Sequence, residues 1–505
     1  MTLTATHEYD AVIIGAGPAG CAAARLLAAW GHRTLLVARP ESDTRALAES
    51  IPPSAQKVLA ALGMLTSFED AGFLPWLGNT VWWGDDEPRT EAFAPGQAGY
   101  LVSRTLLDRR LRKLAAESGA DVRAGVVRDV RLDPDGESAE ATRAVDVEVD
   151  IDGERVTVQT RFVLDCSGRA GVIARKGPRE PVPSPRTVAL VGVWRASAGW
   201  PSQNDAHTLV ASYSDGWAWS VPTEPGLRHF TVMVEPGRTE LTGDTAEARY
   251  TSELAKVRPF AALLASATLL GRPWGADASL YRGRRYTGPG WLLAGDAASF
   301  IDPLSSFGVK KALVSGWLAA IAVHTSLTQP AMAGEALRFF DRRERSMAAG
   351  SRTQGAQFAR DAAADTPHPF WLARAAASQD DLDADAEIDP AALARDPGVL
   401  AAFEDVRRRD TIRLIRDARA RFETRAMVRG REIVLDEQLV APACPDGIRY
   451  LRGIDLVRLV TLAPDFDDVG ALFEALRRDQ PDVTLPDFLG ALSVLIHWKA
   501  LLHEG

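Results

Sequence analysis

A short apolar run, Val12-Ile13-Ile14, breaks at three glycines spaced Gly15-x-Gly17-x-x-Gly20, and an Ala/Leu-rich stretch then runs to Trp30. Few folds accommodate this arrangement. The apolar run reads as a buried parallel strand, and Cys21 to Trp30 as a helix. Gly15 permits a tight turn and Gly17 lets the backbone approach a pyrophosphate. Gly20 lets helix and strand pack closely, and the helix N-terminus turns its unpaired N–H groups to the anion. Pro18 and Ala19 lie inside this turn and join the glycines as nucleotide-contacting positions. A second strand is expected over Thr34 to Val37. Its end usually carries an acid for the adenosine ribose. Here that position is Ala38, followed by Arg39, so the ribose contact comes from elsewhere and Arg39 stands beside it. The motif occurs once and by itself indicates only a dinucleotide.

A later stretch narrows the choice. Trp291 to Ala294 reads as another buried strand, ended by Gly295-Asp296. Asp296 is placed to hold a ribityl hydroxyl. The helix expected over Gly308 to Ala322 can point its N-terminus at a flavin pyrimidine carbonyl, where negative charge collects on reduction. Strand, Gly-Asp, loop and helix, so far from the first glycines, indicate FAD.

A third element, Arg104-Thr105-Leu106-Leu107-Asp108-Arg109-Arg110-Leu111, resembles the R-x-x-L/F-D-x-x-L helix of FAD monooxygenases, in which the arginine lies against the flavin; Arg104 takes that role. Phe162 to Arg175 resembles their second nucleotide-contacting motif. Residues 8 to 325 thus resemble the FAD-dependent monooxygenase/halogenase superfamily, and within it the flavin-dependent halogenase branch. Trp217-x-Trp219-x-Val221-Pro222, Phe300-x-x-Pro303-x-x-Ser306-x-Gly308 and Glu49-Ser50-Ile51-Pro52 carry the likeness to the branch, the last as its flavin-covering strap.

The resemblance implies an α/β fold of para-hydroxybenzoate hydroxylase type. A Rossmann-like FAD-binding domain (1–75, 101–175 and 276–330) is interleaved with a substrate β-sheet domain (76–100 and 176–275). A helical region (331–430) and a small winged-helix-like module (431–505) follow. The module suits either a docking platform for a peptide or protein or a structural cap. Ser50, Pro303, Gly308 and Val309 fall beside the cofactor. Ser306 is a catalytic candidate, since amides around Ser306 to Gly308 can stabilise charge on the reduced flavin. Glu49 and Asp302 are the nearest acids for taking a ring proton, each equally suited to holding a loop. Trp82, Trp217, Trp219 and Phe300 are candidates for walling an aromatic substrate away from water, with plain core packing the alternative for each tryptophan.

Halogenation in this branch uses a lysine on the strand after the strap and, in tryptophan halogenases, a glutamate in the flavin-side loop. Phe73 to Trp83 holds no lysine, and Ser305 stands at the glutamate position. Strap, flavin-side helix and missing lysine together resemble the flavoproteins that hydroxylate peptidyl tryptophan in tryptophylquinone biogenesis. The implied activity is hydroxylation of an aromatic, tryptophan-like substrate, free or borne by a peptide or protein, through a flavin C4a-hydroperoxide. Halogenation of an aromatic substrate is the first alternative, and prenyl-chain reduction on the same fold the second. Electrons come from NAD(P)H directly or through a partner flavin reductase.

Composition excludes several classes. The 505 residues carry a net charge of -9, which argues against nucleic acid. The three cysteines lie far apart and no HExxH or CxxC occurs, so no metal is expected. No run of 18 apolar residues suggests a membrane span, and no signal peptide is visible, so a cytoplasmic location is expected. Helices are expected over Arg238 to Ala267, Ala336 to Ala364 and Ala391 to Met427, the last with Phe403, Val406, Ile412 and Ile415 in its core. Asp380 to Asp389 reads as an acidic linker. Strands at Arg431 to Val440 and Gly447 to Leu451 precede helices at Ile454 to Leu462, Val469 to Arg478 and Thr484 to Trp498.

Overall fold

Ala11, Val12 and Ile13 are fully buried in the middle of a parallel sheet. Their strand, His7–Ile14, pairs on one side with Thr34–Ala38 and on the other with Glu154–Asp165. Asp121–Arg131 adds beyond the first neighbour and Trp291–Leu293 beyond the second, both parallel. Val145–Ile151 runs antiparallel between Asp121–Arg131 and Glu154–Asp165. The computed structural model describes residues 7–40, 47–84, 87–132, 145–200, 205–376, 393–409 and 411–504; the expected acidic linker at 380–389 lies outside them. The chain forms two compact units, Met1–Ala384 and Asp385–Gly505.

In the first unit, helix Pro18–Ala29 leaves the first strand and meets helix Gly308–Thr328 at very short range. A Cβ on Gly20 would overlap the Gly15 carbonyl oxygen, and one on Gly316 the backbone of Ala19. Loops from distant parts of the chain therefore converge above one end of the sheet.

A second, seven-stranded sheet runs Ala267–Asp277, Val188–Ala196, Leu227–Val234, Gly216–Glu224, His207–Tyr213, Gly78–Trp82, Arg89–Ala92. Only the His207–Tyr213/Gly78–Trp82 pairing among these is parallel. Strand alternation gives the sheet two faces. Leu209, Ala218, Phe230 and Val232 pack on Tyr250, Leu254 and Phe260 from helices Ala246–Ala255 and Arg258–Leu264. The helix expected over 238–267 is thus two helices, with Pro259 opening the second. On the other face, Ala189, Val191, Trp217 and Met233 pack on Ala359, Phe370 and Trp371. The first of these partners belongs to the long helix Ala333–Asp365, and the other two to Pro369–Ala376.

The second unit departs from expectation at its start. In place of one helix to Met427 there is helix Pro397–Arg408, then strands Leu414–Arg416 and Arg421–Arg429. Arg, Glu, Ala and Met favour a helix by propensity, but Arg421–Arg429 pairs along its length with Glu432–Ala441 across a turn at Gly430, whose φ is 61°. Tertiary pairing overrides a weak local preference. Ile415 is accordingly 42% exposed where a core position was expected, because the strand buries its neighbour Leu414 instead. Val406 and Ile412 are buried. The helices Leu456–Leu462, Val469–Asp479 and Leu485–His497 stand where the sequence places them. Phe488, Leu492 and Leu495 form the centre of this unit's core.

Gly316→Ala is expected to destabilise the first unit by ~1–3 kcal/mol, since the new methyl forces two packed backbones apart. Thermal unfolding checks this; an unchanged midpoint would show that the helices can move apart freely.

Candidate active site

The glycine loop explains how one end of the site forms. Gly15 has φ 100°, and a Cβ there would overlap the Cys166 carbonyl. Helix Pro18–Ala29 begins at Gly17 with no side-chain cap, so its first N–H groups lack a partner from the cap. Below the loop, buried Asp165 accepts from the Ser167 amide at 3.1 Å and hydroxyl at 2.6 Å, and from the Ile173 and Ala174 amides at 2.7 and 3.1 Å. This fixes the 166–174 loop beside the glycines.

Two adjoining cavities meet at Gly17 and Arg104. One, of about 410 Å³, runs along Gly15, Val37, Arg39, Asp108 and Arg112. The other, of about 390 Å³, reaches from Pro18, Ala19, Glu49 and Ser50 past Asp296 and Ser306 to the second sheet. Arg104, just after its Ser103 N-cap, donates to Glu49 at 3.0 Å and Asp108 at 2.8 Å. Burial pushes the Glu49 carboxyl up, and the Arg104 charge opposes it.

The far wall of the second cavity is the N-terminus of helix Gly308–Thr328, which also lacks a side-chain cap; Gly308 and Val309 line the cavity. Ser306 precedes it in a left-handed turn, φ 54°. Lys311 is buried one turn in and donates to the Gly295 and Ser299 carbonyls at 2.7 and 2.6 Å. Ser315 Oγ accepts from the Gly295 amide at 2.8 Å. Together they hold the Gly295-Asp296 turn. Glu344, buried on the long helix, lies in the field of Lys311; burial pushes its carboxyl up to about 7 and Lys311 opposes this.

Most candidate residues converge on the two cavities, and some do not. Gly20 and Gly295 act through close packing, with a Cβ on Gly295 meeting the Ala19 side chain at 2.8 Å. Pro303, Trp219 and Phe300 line the second cavity. Trp217 stacks on Trp219 with centroids 4.9 Å apart and packs in the core beneath it. Trp82 is a correction: its ring packs edge-on against Phe260 on the opposite face of the sheet, because it falls on the other phase of the strand alternation. Asp302 also stands off the cavity, accepting from the Leu304 amide at 3.0 Å and holding the loop; burial pushes its carboxyl up.

Polar lining residues outside the sequence-based candidates include Arg169, Asp277, His229 and Thr231. Arg169 sits over the Phe300 ring at 4.2 Å and pairs with Asp277 at 3.2 Å. His229 and Thr231 project from the strand Leu227–Val234. Period-2 counting along that strand places both on one face, but the sequence does not say which face meets the cofactor.

The cavity pair suits FAD. One uncapped helix start lies where the two cavities meet and another at the far wall of the second, glycines stand where a Cβ would intrude, and the lining turns from polar to apolar towards the second sheet. A model of the FAD binding domain matches residues 8–317. The chain belongs to the FAD binding domain family. Among curated members, the flavin-dependent halogenase armH3 of Armillaria mellea is 29% identical over 356 residues, 65% of this chain and 70% of that protein. The tryptophan 2-halogenase of Chondromyces crocatus is 29% identical over 339 residues, 66% of this chain and 64% of its own. Two solved structures extend over nearly the whole chain. The flavin-dependent halogenase CmlS is 23% identical, with TM-score 0.77, over 98% of this chain and 96% of that one. The peptidyl tryptophan dihydroxylase QhpG is 23% identical, with TM-score 0.67, over 97% and 99%. The fold is shared with both. Among the described residues no helix is long and apolar enough to cross a membrane.

Two outcomes follow for this FAD binding domain. Gly15→Ala adds a strained φ and a backbone clash, of order 1–3 kcal/mol, so the purified variant should lose the flavin absorbance that heat releases from the parent. A variant equally yellow would move the cofactor elsewhere. Glu344 titrates near its ordinary value of 4.5 unfolded and near 7 folded. Its contribution is therefore full at low pH and lost as pH rises towards 7. Urea unfolding of Glu344→Gln should show stability falling less steeply between about pH 5 and 7, by at most ~1.4 kcal/mol per unit.

Proposed function

We propose that the chain is a FAD-dependent monooxygenase that hydroxylates an electron-rich aromatic ring, with tryptophan, free or carried by a peptide or protein, as the leading substrate. One observation carries the choice of hydroxylation. All seven lysines of the sequence fall among the described residues, and none lines the cavity that reaches the second sheet. Lys57 is exposed, half-buried Lys310 donates to the Ser54 hydroxyl at 3.1 Å, Lys311 is spent on two carbonyls, and Lys256 pairs with Asp215 and Glu253. A site that guides hypohalous acid to a substrate through a lysine has no such group here.

Reduced FAD supplies the electrons that activate dioxygen. The chain's own residues hold and shield. The N–H groups at the start of Pro18–Ala29 would hold the pyrophosphate, and Asp296 a ribityl hydroxyl. Arg104, pinned by Glu49 and Asp108, would lie against the cofactor's middle. The bare helix start at Gly308 offers donors where negative charge develops. Val191, Trp219, Val221 and Phe300 exclude water from the reacting face. Glu49 and Asp302, taken up with Arg104 and the Leu304 amide, serve as holders and not as proton acceptors.

Halogenation is the second reading, favoured by the halogenases among the curated relatives. The likeness to QhpG over 97% of the chain supports a peptide-borne tryptophan. The equally long likeness to CmlS means that the second unit alone does not discriminate. Electrons are taken to come from NAD(P)H or a flavin reductase.

The test offers tryptophan and tryptophan-containing peptides to the protein with reduced flavin, oxygen and bromide. A mass gain of one or two oxygen atoms is expected. A bromine isotope doublet would assign halogenation instead.

A further inference from the structure

The strand Thr34–Ala38 ends without the acid that usually holds an adenosine ribose. Ala38 is buried, and exposed Arg39 follows it. The cavity that passes this strand end, the one of about 410 Å³, nevertheless contains an acid on another wall. Helix Arg104–Glu117 gives that wall Arg104, Thr105, Asp108 and Arg112. At 3.6 residues per turn these four positions fall within one arc of about 100°. The helix thus turns a single face to the cavity, and Asp108 stands in the middle of it. Among the described lining residues Asp108 is the one carboxylate.

The order along the helix matches the order of the cofactor. Arg104 lines both cavities and lies with Gly17 where they meet, the place for the pyrophosphate. Thr105, Asp108 and Arg112 line only the first cavity, so the helix leads into it. Asp108 follows Arg104 by one turn, about 6 Å along the axis. In FAD the adenosine ribose directly follows the pyrophosphate, and its two hydroxyls carry hydrogens to donate. Guanidinium groups have no acceptor, so Arg39, Arg104 and Arg112 cannot take those hydrogens. Asp108 can. Its Oδ1 accepts from Arg104 Nε at 2.8 Å, and its side chain is 28% exposed. A carboxylate has a second oxygen and further lone pairs to offer. The Arg104 charge also offsets the repulsion between this carboxylate and a neighbouring pyrophosphate.

We propose that Asp108 holds the adenosine ribose of FAD, accepting from its hydroxyl pair in the role that the end of Thr34–Ala38 has given up. Asp108 then has two tasks, fixing Arg104 with one oxygen and the ribose with the other. The assignment rests on FAD binding and holds whichever reaction the bound flavin performs.

Two ligands separate the tasks: FAD, and the FAD analogue whose adenosine ribose is 2′,3′-dideoxy. The full chain is freed of its flavin, and each ligand is titrated back while flavin fluorescence is followed. The parent should bind FAD about tenfold or more tightly than the analogue, the worth of a hydrogen bond to a charged acceptor. Asp108→Ala should bring the two ligands within about twofold of each other, however far the lost Arg104 contact weakens both. Asp108→Asn keeps a carbonyl oxygen to accept and should show an intermediate preference; it also gives the ratio if Asp108→Ala does not fold. A residue that only positions Arg104 behaves differently: both ligands weaken together and the preference for FAD survives. That result, or a parent that binds the two ligands equally, overturns the proposal. A parent that takes up neither ligand removes FAD binding itself, and this assignment with it.

Discussion

The site depends on an approach between backbones that only glycine allows. Gly15 bends the first strand into the first helix against the Cys166 carbonyl, Gly20 keeps that helix on the turn, and Gly316 brings the later helix onto Ala19. With these contacts, two helix starts far apart in the sequence come to one pair of cavities, one where the two cavities meet and the other at the far wall of the second. Each start lacks a side-chain cap. An unpaired helix start is a cost in an empty protein and a donor set for an anionic ligand. The close packing and the binding capacity therefore have the same origin.

The second sheet does the opposite work. One face is closed by helices Ala246–Ala255 and Arg258–Leu264, while the other divides between packing on the long helix and lining the cavity. Arg104, with its two carboxylate partners, lies where the polar and apolar parts of the cavity pair meet.

The sequence was most legible where geometry is local. Gly15, Gly17 and Gly20 announce a turn by spacing, and Thr484 and Pro486 announce a helix start that the structure contains. It was least legible where the answer depends on which face of a strand turns inward. Trp82 reads like Trp219, yet strand phase puts it on the far side of the sheet. His229 gave no signal, since a histidine in an apolar strand resembles many buried histidines until its surroundings are known. Arg421–Arg429 was misread because its composition suits a helix and its partner strand lies beyond a glycine turn.

The interleaving of the two sheets also has a consequence for synthesis. Gly78–Trp82 leaves the ribosome long before His207–Tyr213, the strand it joins in parallel. In the interval its one sheet partner among the described residues is Arg89–Ala92, and its other edge, with Val81 and Trp82, stands open. Open apolar edges are where nascent chains cross-pair. The covered edge ends in an exposed, charged strand of sequence Arg-Thr-Glu-Ala, which discourages further addition on that side. The newborn chain is thus protected on one flank and adhesive on the other until translation has passed the middle of the protein, so a pause before His207 prolongs the window in which two growing chains can join.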